Sequence, residues 1–466
     1  MDQKTISLTR LRKLVVSGVF ALAIGCLFPG SSLHAQTLYG ALTAAYHNNP
    51  TLKAAQHQAL STNETYRQAV GAAMPTITGT GSIGYTDSRT RSTRDVVTQN
   101  GTNLISTGLT ISQPLYRGGG VSAGIRNTES TIQAQWYQLQ SVEQSVLAQS
   151  VQAYMNVIGD REILRSTHHN VDVLKNQLSA AQTRYDVGEG TRSDIALAQS
   201  ALAAAQANVA AAIASLESSR SIFQQVIGTM PSTLNEPGIP VNIPRSLDEA
   251  VRRSETNDPL VIASLYIEKA AHELVTVRKA AMLPAADLQG SYTASWDGGQ
   301  NSSIASQDAR VIAQLSIPLY QGGRAVSQLR SAKHDLNTAM IQVDEQRRRA
   351  RQVATSSWYA FQSTQSIIPA RMAQLDAARV AQDGVQAEYD VGTKTILDVL
   401  AAEQQTLEAS VALTRARVDR VVAGYNLVAA SGDLTATLLA LPVNHFDVRG
   451  HYAKIKEQRF TFGLGY

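Results

Sequence analysis

Few residues in this sequence are spaced to do covalent chemistry. Gly118-Gly119-Gly120 has neither a Gly-x-Gly-x-x-Gly run nor a P-loop lysine beside it, so it reads as a strand-to-helix bend rather than a phosphate cradle. His168-His169 lacks further ligands at metal spacing and reads as helix surface. Arg347, Arg348, Arg349 and Arg351 form a basic run that reads as a solvated or salt-bridged helix face. The one cysteine, Cys26, excludes a disulfide framework and a Cys-based zinc site. With no nucleophile–base set, metal cluster or phosphate loop, the chain is expected to be no enzyme and to need no cofactor. Two similar turns stand out instead: Tyr185-Asp186-Val187-Gly188 and Tyr389-Asp390-Val391-Gly392. Gly188 and Gly392 suit the left-handed residue that ends a helix. What such turns can do depends on the elements that carry them.

Composition limits those elements. The chain has 466 residues, 44% hydrophobic but only 6% aromatic, with 7 Phe and 3 Trp. Small side chains fill little volume, so long, thin helical layers fit better than thick cores. The net charge is +4, but residues 1–35 hold Lys4, Arg10, Arg12 and Lys13 against Asp2, leaving 37 basic and 36 acidic residues in the remainder. A nucleic-acid partner therefore has no electrostatic basis.

The N-terminus reads as an address. Lys4 to Lys13 form a basic region, and Leu14 to Phe28 form an apolar run too short to span a bilayer well. Pro29-Gly30-Ser31-Ser32 breaks the run, and Leu33-His34-Ala35 offers a small residue for cleavage, so residues 1–35 are expected to be a secretory signal peptide. The rival is lipidation of Cys26, because Ala23-Ile24-Gly25-Cys26 partly resembles a lipobox. No later apolar stretch reaches the ~20 residues a transmembrane helix needs.

Internal repetition organises the rest. The stretch from Ile111 to Gly119 returns from Leu315 to Gly323, and Tyr185-Asp186-Val187-Gly188 returns as Tyr389-Asp390-Val391-Gly392, both at an offset of 204 residues. Upstream, Asn49-Pro50 matches Asp258-Pro259 and Met74-Pro75 matches Leu283-Pro284 at an offset of 209. The expected organisation is a leader (1–35), a first repeat (36–240), a second repeat (241–440) and a tail (441–466). Each repeat reads as a helix (38–73 in the first), a β-hairpin, a long helix (121–187; 325–391) and a further helix (193–228 in the first). Pro369 inside the second long helix is expected to kink or loosen it. Ile195, Leu202, Val209, Leu216 and Phe223 recur every seven residues, with Ala198, Ala205, Ala212, Ser219 and Val226 three residues on. That period, with alanine at one core position, predicts a tightly spaced left-handed coiled coil. Arg420 interrupts the same pattern in the second repeat.

The hairpins alternate apolar and polar residues, as in Leu288, Gly290, Tyr292, Ala294 and Trp296 against Gln289, Ser291, Thr293 and Ser295. Loops are expected at 87–101 and 297–308. Strands of about 11 residues cross a bilayer when tilted. A spanning sheet must close, and four strands are too few for the smallest barrels, so the barrel must be shared between chains. The alternative is a periplasmic coiled-coil adaptor or scaffold, which needs only one helical hairpin and is disfavoured by the duplication. In the tail, Phe460, Phe462, Leu464 and Tyr466 alternate; a terminal strand signal, a strap and a disordered tail are all open readings.

The duplicated halves, the Pro-Leu-Tyr-x-Gly-Gly strand exits and the paired Tyr-Asp-Val-Gly turns resemble the TolC-like outer-membrane efflux family, from about Leu38 to Leu441. The resemblance implies a mainly α fold: a duplicated coiled-coil tunnel in the periplasm, and four β-strands per chain in a 12-stranded outer-membrane barrel shared by a homotrimer. It implies an exit duct for a tripartite efflux pump or a type I secretion system. The partners would be outer-membrane lipid, a periplasmic adaptor (membrane fusion) protein and an inner-membrane pump of the resistance-nodulation-division (RND) or ATP-binding cassette (ABC) type. It places a periplasmic gate on Asp194, Tyr389 and Lys394, the last standing where the family pattern has arginine. It gives Asp398 to an acidic aperture ring, with helix capping as that residue's other reading. Ala401 replaces a second family aspartate. The tip turns Val187-Gly188 and Val391-Gly392 would meet the adaptor.

Overall fold

The computed structural model describes residues 36–91, 97–297 and 305–458. The leader, Cys26 and the alternating Phe460–Tyr466 stretch lie outside them. In chain order the elements are α1 (Leu38–Asn48), α2 (Pro50–Gly71), β1 (Thr76–Arg91), β2 (Val97–Arg117), α3 (Gly120–Asp186), α4 (Arg192–Ile227), α5 (Leu247–Asn257), α6 (Pro259–Ala280), β3 (Ala285–Asp297), β4 (Ala305–Ser316), α7 (Arg324–Asp390), α8 (Ile396–Ala430) and α9 (Val448–Glu457). The order from α1 to α4 is written again from α5 to α8.

The helix expected over 38–73 is two helices. Pro50 lacks an N–H and sits at the start of α2, where none is needed. Asn49 caps that start, its Oδ1 accepting from Thr51 N at 2.9 Å and Leu52 N at 3.2 Å. Asp258 does the same for α6 at Leu260 N (2.7 Å) and Val261 N (3.2 Å). Apolar spacing carries across both breaks, which is why periodicity alone merged them.

The four strands form one antiparallel sheet in the order β1-β2-β3-β4. The register aligns whole rows: Gly79, Leu109, Tyr292 and Ala309 lie side by side, as do Ser82, Ser106, Ser295 and Ser306. Because side chains alternate, one face collects Ile77, Ile83, Leu109, Ile111, Tyr292, Trp296, Val311 and Leu315, all exposed in the single chain. The opposite face collects threonines and serines, including Ser82 Oγ to Ser106 Oγ and Ser295 Oγ to Ser306 Oγ, each at 2.7 Å. The sheet ends on β1 and β4, each with one neighbour. The first hairpin is longer than expected: β1 has 16 residues and β2 has 21, so most of the predicted 87–101 loop is strand. Polarity there marks departure from an apolar layer, not loss of the backbone ladder. Pro114 stands opposite Asp287 at the point where the register shifts before Tyr116, an irregularity of the kind at which a strand proline is found.

Gly118 and Gly119 turn the chain from β2 into α3 at φ 61° and 80°. A Cβ on Gly118 would lie 2.8 Å from Leu283 Cβ and 2.9 Å from Ala280 O. The two long helices have 67 residues each, about 100 Å at 1.5 Å per residue. Helix α7 continues as one helix through Pro369.

The heptad faces inward as expected: Ala198, Ala205 and Ala212 of α4 are 0%, 4% and 8% exposed. The main core joins α1, α3, α4 and α8 around Leu42, Tyr154, Phe223 and Tyr425. Tyr154 donates its hydroxyl to Gln36 O and Asn235 O, both at 2.7 Å. Arg420 lies beside this core, its Nε buried without a hydrogen-bond partner among the described residues. The described tail is a strap. Helix α9 packs Ile455 against Tyr66 and Ile132, while Asn63 Nδ2 donates to Val448 O at 3.0 Å and Trp136 Nε1 donates to Asn63 Oδ1 at 2.9 Å.

Candidate functional site at the helix tips

The α3–α4 and α7–α8 hairpins both turn at the end remote from the sheet. Each turn closes identically. Gly188, at φ 84°, donates to Tyr185 O at 3.0 Å, and Glu189 donates to Arg184 O at 2.8 Å. In the second turn Gly392, at φ 83°, donates to Tyr389 O at 3.0 Å, and Thr393 donates to Glu388 O at 2.9 Å. This double bond pattern satisfies carbonyls that the helix end leaves open. It pushes Val187 and Val391 outward, at 68% and 76% exposed.

Each following helix begins with a reciprocal cap. Asp194 Oδ2 accepts from Thr191 N (2.9 Å) and Thr191 Oγ1 (2.8 Å), while Asp194 N donates to Thr191 Oγ1 at 3.2 Å. Asp398 Oδ2 accepts from Thr395 N (3.0 Å) and Thr395 Oγ1 (2.7 Å), while Asp398 N donates to Thr395 Oγ1 at 3.3 Å. The two aspartates, read as gate and ring, are equivalent positions in the two repeats and are held alike. The backbone and hydroxyl of Thr395, and then the charge of Lys394, hold the Asp398 carboxyl below the usual aspartate range.

Within one chain, the described residues do not bring Asp194, Tyr389 and Lys394 into one bonded cluster. Asp194 is engaged by Thr191, and exposed Lys394 lies close enough to Asp398 to act on its charge. Tyr389 is 7% exposed and packs against Ile396 and Val399. Arg184 of α3 covers it: the guanidinium lies 4.2 Å from the ring centroid, and Nη1 donates to Tyr389 O at 3.2 Å. Sequence reading missed Arg184, which has no local period and a partner 205 residues away.

The other early candidates are ordinary surface. His168 and His169 are exposed on α3. Arg351 pairs with Glu255 at 2.6 Å, and Arg347 reaches Asp344 at 3.9 Å.

Comparison with known proteins adds the family context. The family described as Outer membrane efflux protein matches residues 41–229 and 251–433, one stretch in each half. The Outer membrane efflux protein BepC of Brucella suis biovar 1 (strain 1330) is 32% identical over 455 residues, covering 96% of this chain and 96% of that protein. Outer membrane protein TolC of Escherichia coli (strain K12) is 25% identical over 317 residues, covering 65% of this chain and 64% of that protein. The crystal structure of the Campylobacter jejuni CmeC outer membrane channel matches with a TM-score of 0.74 at 17% identity, covering 89% of each chain, a likeness of fold.

Proposed function

The chain belongs to the outer membrane efflux protein family, and from that premise we propose how it works as a gated duct. It is an outer-membrane channel-tunnel, the exit duct of efflux or type I secretion, with its helical part in the periplasm. Three copies share one barrel. The observation that carries this is the single sheet with an apolar face, a hydroxyl-lined face and two unpaired edges, β1 and β4. An edge in lipid leaves backbone groups unpaired at a cost of several kcal/mol each, so closure is required. Four strands from each of three chains make a 12-stranded barrel, within the range of known outer-membrane barrels. The apolar face meets lipid and the hydroxyl face lines the lumen.

The helices continue that lumen into the periplasm and narrow it at the tips. There the gate is formed by Asp194, Tyr389 and Lys394, with Lys394 reaching a carboxylate of an adjoining hairpin. Asp398, repeated by symmetry, rings the aperture with negative charge. Val187-Gly188 and Val391-Gly392 offer the adaptor its contact, and the adaptor joins the duct to an RND or ABC pump. Residues 1–35 are the leader; 36–240 and 241–440 are the two repeats, and 441–466 form the tail. Tyr389→Phe combined with Lys394→Ser should raise single-channel conductance in planar bilayers while detergent-extracted protein stays trimeric. Wild-type conductance in intact trimers would move the gate elsewhere, and a soluble periplasmic monomer would overturn the duct itself.

A further inference from the structure

The two hairpins at the tip are held internally by their own coiled coils, α3 on α4 and α7 on α8. An aperture between them widens only if one hairpin moves away from the other; Leu400 of α8 packs against Val171, Leu174 and Leu202, and the directional links are the polar bonds that cross from α3 to α7. One residue gathers most of them. Arg184 stacks on the Tyr389 ring at 4.2 Å, donates Nη1 to Tyr389 O at 3.2 Å, and places Nη2 3.5 Å from Asp390 Oδ1. Gln386 Nε2 donates to the same Asp390 Oδ1 at 3.0 Å, and Gln177 Nε2 of α3 donates to Gln386 Oε1 at 2.8 Å. A planar guanidinium can stack and donate in two directions at once, which an ammonium cannot. Arg184 also brings a cation to the last turn of both long helices, where the carbonyl ends favour positive charge.

Among the described residues, the second repeat has no counterpart of this link. The position equivalent to Arg184 is Glu388, which cannot stack on Tyr185 as a cation. Tyr185 is 38% exposed and accepts from Arg192 Nε of its own hairpin at 3.3 Å. The equivalent of Arg192 is Ile396, which is 2% exposed and packs on Tyr389 from below. These two differences between the repeats make Tyr389 the buried tyrosine and Tyr185 the open one.

We infer that Arg184 is an intrachain latch, a positioning residue that ties the α7–α8 hairpin to α3 in the closed tip and is released when the duct opens. The inference rests on the reading of the tips as the gate. It adds a link of a different kind from the proposed Asp194–Tyr389–Lys394 set, because Arg184 acts on the ring, carbonyl and neighbour of Tyr389 rather than on its hydroxyl.

Single-channel recording of the purified full-length oligomer in planar bilayers tests it, with Arg184→Gln, Arg184→Lys, Glu388→Gln and the Tyr389→Phe/Lys394→Ser reference compared. Loss of a stacked, doubly bonded cation should raise the time spent in the larger conductance by about fivefold or more. Arg184→Lys should fall between wild type and Arg184→Gln, and Glu388→Gln should match wild type. If Arg184→Gln fails to assemble, a raised open time in Arg184→Lys still supports the latch, and a wild-type value in it overturns the latch. Wild-type behaviour of Arg184→Gln beside an opened reference mutant overturns the latch and leaves the gate standing. Wild-type behaviour of both overturns both. An equal rise in Glu388→Gln also overturns the latch, since any change of tip charge would then suffice.

Discussion

In the proposed aperture Asp398 serves two purposes with one carboxylate. Oδ2 is spent on the cap of α8, while the net charge remains available to the aperture. Asp398→Ala removes both, but Asp398→Asn keeps an acceptor for Thr395 and removes only the charge. The asparagine variant should therefore weaken block by divalent or trivalent cations while α8 stays capped, measured as cation titrations of conductance beside the far-ultraviolet circular dichroism of the trimer. The pH dependence has a definite sign. The folded carboxyl titrates below the ordinary aspartate value, so the ring stays ionised through mildly acidic pH, and block should fade only as pH drops through that lowered value. Cation block that persists in Asp398→Asn would separate Asp398 from the ring. Capping was legible as one of the two readings of Asp398, because a helix start prefers such residues, although the N-cap is Thr395 and Asp398 stands three residues further in. The sequence hid Arg184, because the second repeat carries Glu388 at that position and so no symmetry points to it.

At the level of elements, repetition and period were legible wherever one chemical rule acts over many residues. The seven-residue spacing from Ile195 to Phe223 marks a face that is buried or half-buried throughout, since a 3.5-residue period has one solution. Boundaries set by a single residue were harder: Asn49-Pro50 splits a helix whose apolar spacing continues past it, and polar β1 and β2 outran their apolar band. Pro369 shows the same tension. Its missing N–H leaves one carbonyl of α7 without its helical partner, a defect of about 3 kcal/mol in an isolated helix, yet α7 continues through it within the α7–α8 coil. Pro369→Ala should stabilise this stretch and slow amide exchange in the neighbouring turn, read by hydrogen–deuterium exchange; unchanged exchange would mean that packing already removes the defect. At the tip the effect runs the other way. Gly392→Ala forces an L side chain into a φ of 83°, at a cost of roughly 1–2 kcal/mol, so limited proteolysis at 391–394 should quicken while the melting of the whole trimer barely moves.

For the whole molecule, the decisive geometry is the pair of sheet edges. Strand length, alternation and duplication in the sequence already required a shared barrel, but only the register shows that all four strands put most of their apolar residues on one face. Gly79, Leu109, Tyr292 and Ala309 form one row, and the serine row Ser82, Ser106, Ser295 and Ser306 lies on the other face. A barrel built from such sheets pairs β1 of one chain with β4 of the next, antiparallel, with no edge left in lipid. A disulfide needs Cα atoms roughly 4.4–6.8 Å apart, a distance that neighbouring strands of one sheet provide and opposite walls of a barrel do not. If the leader carrying Cys26 is removed, no native cysteine competes with introduced ones. A cysteine at Gly81 of β1, combined in turn with Ala309→Cys, Val311→Cys and Ala313→Cys in β4, should therefore give one strongly oxidising pair. Its covalent product should be a closed trimer in denaturing gels, with dimers at partial oxidation and nothing larger. A ladder running past the trimer would indicate a larger ring. Monomer throughout the series, from membranes that contain the folded protein, would exclude β1–β4 closure and with it the shared barrel.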